Sequence, residues 1–111
     1  MPSVAPRWAH RKDANHVEIM RTLRQLGAHI IDTSAVAPAC GGKLAGFPDL
    51  LTIWPSGVWL FVEIKTEDGE LTSDEREWRI WNDAALVIDV RTLGDCVKVR
   101  NYAMGGTNHV V

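Results

Sequence analysis

The sequence predicts an α/β fold, a mixed β-sheet flanked by helices in the order α-β-β-β-α-β-α. Three observations carry this reading. Apolar residues Ile19, Met20, Leu23 and Leu26 recur at helical spacing and stop at Gly27. Two strand-like runs, Asp49 to Trp54 and Val58 to Lys65, flank Pro55-Ser56-Gly57, the pattern of a hairpin. A capped helical stretch from Thr72 or Ser73 to about Asn82 then leads into a further β-rich run, Ala85 to Val90. Helices alternating with strands in this way are the mark of a layered α/β domain.

Each element has its own local warrant. Asp13 or Asn15 is placed to cap the first helix. Ala28 to Thr33 reads as a short strand, and Ala35 to Gly46 as a loop rich in small residues with Gly41, Gly42 and Gly46. Asp68-Gly69 makes a turn before the second helix, where Trp78 and Trp81 share a face and read as core. Arg91 to Val97 reads as a final short helix, weakened by Gly94. Trp54 and Trp59 beside the hairpin turn suit core, a subunit contact or a base-stacking surface.

The chain of 111 residues, 46% hydrophobic and 23% charged, suits one compact domain. The reading divides it into a basic arm over 1–12, a single domain over 13–102 and a tail over 103–111. No run approaches the ~20 apolar residues of a membrane span. No signal-peptide core precedes the first helix, so the expectation is a cytoplasmic protein with two inert thiols, Cys40 and Cys96.

A net charge of −2 argues at first against a nucleic-acid partner. The charge is unevenly spread, however: residues 1–27 carry +3 and residues 67–83 carry −5. Acid is gathered in one segment, leaving Arg7, Arg11 and Lys12, with Lys43 in the glycine-rich loop, available to phosphate.

The hairpin carries the chemistry. If Trp54 faces Val58, residues whose numbers add to 112 are cross-strand partners, and Asp49 lies opposite Glu63. Partners of this kind have Cβ atoms about 4.5–5.5 Å apart, and the two-residue period puts Lys65 on the face of Glu63. Facing carboxylates among apolar neighbours either bind a proton or share a cation, and an all-oxygen site suits Mg²⁺ or Mn²⁺. The plain alternative is a solvent face with alternating charge and a turn aspartate after Phe47-Pro48. His16 and His29 have no partner at metal-ligand spacing and are not read as catalytic.

Pro48-Asp49 followed by Glu63-Ile64-Lys65 resembles the PD-(D/E)xK nuclease superfamily. The likeness extends over Asp13-Ala14-Asn15 with Glu18-Ile19, Gly46 to Leu51, Phe61 to Lys65, and Leu71 to Glu75 with Trp78. In this order the chain is similar to a small standalone VRR-NUC domain, the virus-type replication and repair nuclease branch. The resemblance implies a restriction-endonuclease-like core and a Mg²⁺- or Mn²⁺-dependent DNA endonuclease with no organic cofactor. It implies Asp49, Glu63 and the backbone carbonyl of Ile64 as metal ligands, Glu18 as a further ligand or water contact, and Lys65 as the group that orients the attacking water. Where the family often has Gln, this chain has Glu75, which either joins the metal cluster or is an exposed helix acid. Small members of this kind look like homodimers, and their expected substrate is branched, flapped or four-way-junction DNA. The alternatives are a nuclease-fold protein that binds DNA or a partner without cutting, and a small-molecule-binding α/β domain, which lacks its glycine fingerprint here.

Overall fold

The computed structural model describes residues 7–33 and 45–105, with side chains described from residue 15 onward. Within these, Lys43 and Cys40 lie outside the described residues, and Arg7, Arg11 and Lys12 are described only as backbone.

The elements are α1 (Arg7–Gln25), β1 (His29–Asp32), β2 (Leu50–Ile53), β3 (Trp59–Ile64), α2 (Ser73–Trp81), β4 (Val87–Val90) and α3 (Leu93–Ala103). This is the expected order, built on a four-stranded sheet β1-β2-β3-β4. The first two pairings are antiparallel, and β3 pairs with β4 in parallel, with α2 in the crossover.

Leu50 pairs with Val62 and Ile53 with Trp59, the register expected of the hairpin. The turn closes through Trp54 N–H to the Val58 carbonyl (3.0 Å) and Gly57 N–H to the Trp54 carbonyl (2.8 Å). Gly57 adopts φ +90°, which a glycine reaches without steric cost. The Ser56 hydroxyl donates to the Ala103 carbonyl at 2.6 Å, tying the turn to the end of α3.

Alternation splits the sheet into two faces. Leu50, Leu60, Val62, Ile64 and Val90 form the core with Ile19 and Leu23 of α1 and Cys96, Val99 and Ala103 of α3. Thr52 is the polar member of this face. Its hydroxyl donates to the Leu60 carbonyl (2.8 Å) and accepts from the Trp54 indole (2.9 Å), so its burial leaves nothing unpaired. Burial also pushes the Cys96 thiol up to about 11, which keeps it protonated and unreactive at neutral pH.

Several boundaries differ from expectation. Helix α1 begins at Arg7 rather than at Asp13 or Asn15, because no breaker stands between Pro6 and Gly27. Helix α3 runs to Ala103 because a Thr92–Asp95 capping box offsets Gly94, and because Val99 and Ala103 continue the buried stripe started by Cys96. Trp81 is not core: it is 77% exposed, as is most of Ile80 beside it. Trp78 packs edge-on against Phe47 and Phe61 instead. Trp54 is buried and Trp59 is exposed.

Candidate active site

The site begins at the mouth of the hairpin. Continuing the Leu50–Val62 register by one residue sets Asp49 opposite Glu63, on the sheet face turned away from the main core. Asp49 is held from three sides. Its carbonyl accepts from Thr33 N–H (3.0 Å), the carbonyl of the preceding Pro48 accepts from the Thr33 hydroxyl, and its Oδ2 accepts from Ile64 N–H (2.9 Å). Asp49 therefore ties Thr33, just past the end of β1, to β3.

Asp49 is 5% exposed and Glu63 is 2% exposed. Burial pushes the Glu63 carboxyl up from its ordinary 4.5 to about 10, and the neighbouring Asp49 and then Glu75 add to the rise. Two ionised carboxylates in this setting would repel across a weakly screened gap, so one carries a proton. The Oε1 atom of Glu63 is buried without a hydrogen-bond partner. An orphaned carboxylate oxygen beside a second carboxylate is what a hard cation satisfies, and Mg²⁺ commonly takes one or two carboxylates with water completing its shell. The donors present, Asp49, Glu63 and the Ile64 carbonyl, fit that ion. Among the described residues, no group of three or more His, Cys, Asp or Glu side chains forms a ready-made cage.

Lys65 leaves β3 on the same face and reaches Glu75 at the start of α2, Nζ to Oε1 2.6 Å, with both side chains largely covered (14% and 15% exposed). The same Oε1 accepts from Thr72 N–H at 2.8 Å, while Glu75 N–H donates to the Thr72 hydroxyl at 3.1 Å, completing a capping box. Burial alone would raise the Glu75 carboxyl, but hydrogen bonds from Lys65, the Thr72 backbone and Glu63 outweigh it and hold the carboxyl below its ordinary range. Of the two readings left open for Glu75, the exposed helix acid is excluded by this geometry. The residue belongs to the cluster of Glu63 and Lys65.

Packing ties these parts together. Phe47, Phe61 and Trp78 meet edge-to-face with ring centroids 5.1–5.8 Å apart, joining the loop before Asp49, strand β3 and helix α2. Gly46 sits against the first turn of α2 at φ +81°, and a Cβ there would fall 2.2 Å from the Asp74 carbonyl oxygen. Only glycine fits.

Comparison with known proteins adds no relative: no family model matches the chain, and no curated protein or solved structure is significantly similar to it. The site therefore rests on its own geometry.

Glu18 lies on α1, outside the Asp49–Ile64 contact and the Lys65–Glu75 pair. Its carboxylate is about half exposed and pairs with Arg21 at 3.4 Å. The buried stripe of α1 is His16, Ile19 and Leu23, and Glu18 stands about 100° round the helix from Ile19. The inward polar residue is His16, whose Nε2 lies 3.2 Å from Asp32 Oδ1. Sequence reasoning passed over this pair because its members are 16 residues apart; the one signal was that His16 keeps step with the apolar stripe. Arg79–Asp89 was missed as well. Asp89 is the β4 partner of Glu63, and Arg79 neutralises it at 2.6 Å, so a further acid beside the site is already compensated. The signal was an aspartate interrupting Val87-Ile88-Asp89-Val90.

Proposed function

We propose that this chain is a metal-dependent DNA endonuclease that hydrolyses phosphodiester bonds. The observation that carries the reading is the buried Asp49–Glu63 pair with its unpartnered Oε1, flanked on the same face by the Lys65 ammonium. The resemblance to PD-(D/E)xK nucleases in Pro48-Asp49 and Glu63-Ile64-Lys65 supports it.

Asp49, Glu63 and the Ile64 carbonyl would hold Mg²⁺ or Mn²⁺, which supplies Lewis acidity toward a phosphate oxygen when bound. The protein's own groups do the rest. Asp49, pinned by Ile64 N–H, presents its remaining lone pairs at a fixed position. Glu63 would hold the ion as a carboxylate, its proton released to solvent. Lys65, with three N–H donors, orients the attacking water and stabilises charge developing on the phosphoryl oxygens. Arg79 keeps Asp89 from adding a further uncompensated charge next to Glu63.

The substrate would be branched, flapped or four-way-junction DNA, recognised by shape rather than by base edges. The exposed Trp59, Ile80 and Trp81 suit a second copy of the chain, and two sites across a two-fold axis would cut a junction symmetrically. Among the described residues no helix is long and apolar enough to cross a membrane.

The deciding experiment compares wild type with Asp49→Ala and Lys65→Ala on branched, flapped and linear DNA, with Mg²⁺ or with EDTA. Wild type with Mg²⁺ should cut, and both variants should lose about 10²-fold or more of the rate. Cleavage that survives EDTA, or is equal in all three proteins, sinks the mechanism. Tight DNA binding without cleavage would instead identify a nuclease-fold binding protein.

A further inference from the structure

Lys65 is a long, flexible side chain whose usefulness depends on where its ammonium rests. What fixes it is on α2 rather than on its own strand. Glu75 Oε1 lies 2.6 Å from Lys65 Nζ and also accepts from Thr72 N–H at 2.8 Å. The carboxylate is therefore oriented by the helix cap, independently of the lysine. Helix α2 is in turn seated against the loop that carries Asp49, through Gly46 on the Asp74 carbonyl and through Trp78 on Phe47 and Phe61.

We infer that Glu75 is a positioning residue: the capping box at the start of α2 aims its carboxylate at Lys65 and so fixes the ammonium relative to Asp49 and Glu63. One residue thus serves as helix cap and as lysine anchor. Lys65 and the loop that leads into Asp49 are then held by the same helix end. A glutamine at this place offers Lys65 a neutral carbonyl in the same position, whereas alanine offers nothing. The kinetic part of this inference rests on the nuclease reading; the placement of the ammonium does not.

The test uses the full-length chain and four proteins: wild type, Glu75→Ala, Glu75→Gln and Thr72→Ala. The first readout is the ¹⁵N signal of the Lys65 ammonium in metal-free protein, visible only while its protons exchange slowly. It should be present in wild type, lost in Glu75→Ala and restored in Glu75→Gln. The second readout is cleavage of branched DNA with Mg²⁺. In Glu75→Ala, kcat should fall by about 10²-fold, the scale of an ångström of misplacement, with KM nearly unchanged. Glu75→Gln should recover most of the loss. Thr72→Ala weakens the helix cap but leaves the Thr72 N–H to hold Glu75, so it should lose stability while keeping the lysine signal and kcat.

A Lys65 signal in Glu75→Ala equal to that of wild type overturns the inference. So does an equal kcat in Glu75→Ala and Glu75→Gln, and so does a Thr72→Ala protein that loses kcat in step with its stability. If wild type cuts no DNA with Mg²⁺, the nuclease reading falls and the ammonium signal alone decides the placement.

Discussion

Glu63 is the residue on which stability and chemistry pull in opposite directions. Its folded pKa is raised from 4.5 to about 10, so its stabilising contribution is complete below 4.5 and lost as pH rises through 10. Between those limits the folded state holds a proton that the unfolded state releases. Metal-free protein should therefore melt at progressively lower temperature as pH rises, by at most about 1.4 kcal/mol per pH unit for a single proton. In the proposed site a cation would displace that proton, so the rise in Tm on adding Mg²⁺ should be larger at pH 9 than at pH 6. Glu63→Gln should flatten the pH dependence, stabilise the metal-free protein at pH 9 and abolish both the Mg²⁺ shift and cleavage. A Glu63→Gln protein that keeps its Mg²⁺ shift would remove Glu63 from the ligand set. Residues were legible in the sequence when local geometry placed them. Asp49 and Glu63 face each other because one turn fixes one register. Glu18 is half exposed because a one-residue step on a helix carries a side chain from the buried stripe to the surface. The pairs His16–Asp32 and Arg79–Asp89 join separate elements, and no local pattern announces them.

At the scale of elements, α2 determines more than its length suggests. None of its residues is fully buried, so its stability depends on its cap and on Trp78. Thr72→Ala should cost about 1 kcal/mol in urea unfolding. Trp78→Ala, which opens the cluster with Phe47 and Phe61, should cost about 3 kcal/mol or more and lower cleavage by loosening the loop before Asp49. Gly46→Ala places a methyl group where the Asp74 carbonyl stands and forces a left-handed backbone on alanine. It should destabilise by at least about 1 kcal/mol and depress cleavage out of proportion to the stability lost. Cleavage that merely follows stability in this variant would show that the loop and the helix are not coupled. The sequence offered Thr72 or Ser73 as the cap and two tryptophans on one face, but not which tryptophan packs inward. Trp78 and Trp81 are one turn apart, and only the position of Phe47 and Phe61 selects Trp78.

For the whole molecule, charge distribution sets what the proposed DNA binding should look like. A net charge of −2, with −5 concentrated in residues 67–83, predicts weak binding without metal and a marked gain with Mg²⁺. Anisotropy titrations of a Lys65→Ala protein on junction DNA should show affinity falling steeply between 50 and 200 mM salt at any metal level. They should also show tighter binding with Mg²⁺ at each salt concentration; unchanged affinity would mean that the acids do not meet the phosphates through a cation. The exposed Ile80 and Trp81 predict self-association, so sedimentation at micromolar concentration should give a dimer that Trp81→Glu dissociates. The sheet holds a last consequence, in time rather than in space. The hairpin that pairs Asp49 with Glu63 closes over a few residues, but β4 joins β3 in parallel only after α2 has crossed over. Contacts distant in sequence form slowly. A nascent chain that has made only its hairpin holds both acids and no seat for Lys65, so the proposed cleavage activity should be acquired only with the final closure of the fold. In refolding experiments, burial of Trp54 should precede recovery of cleavage.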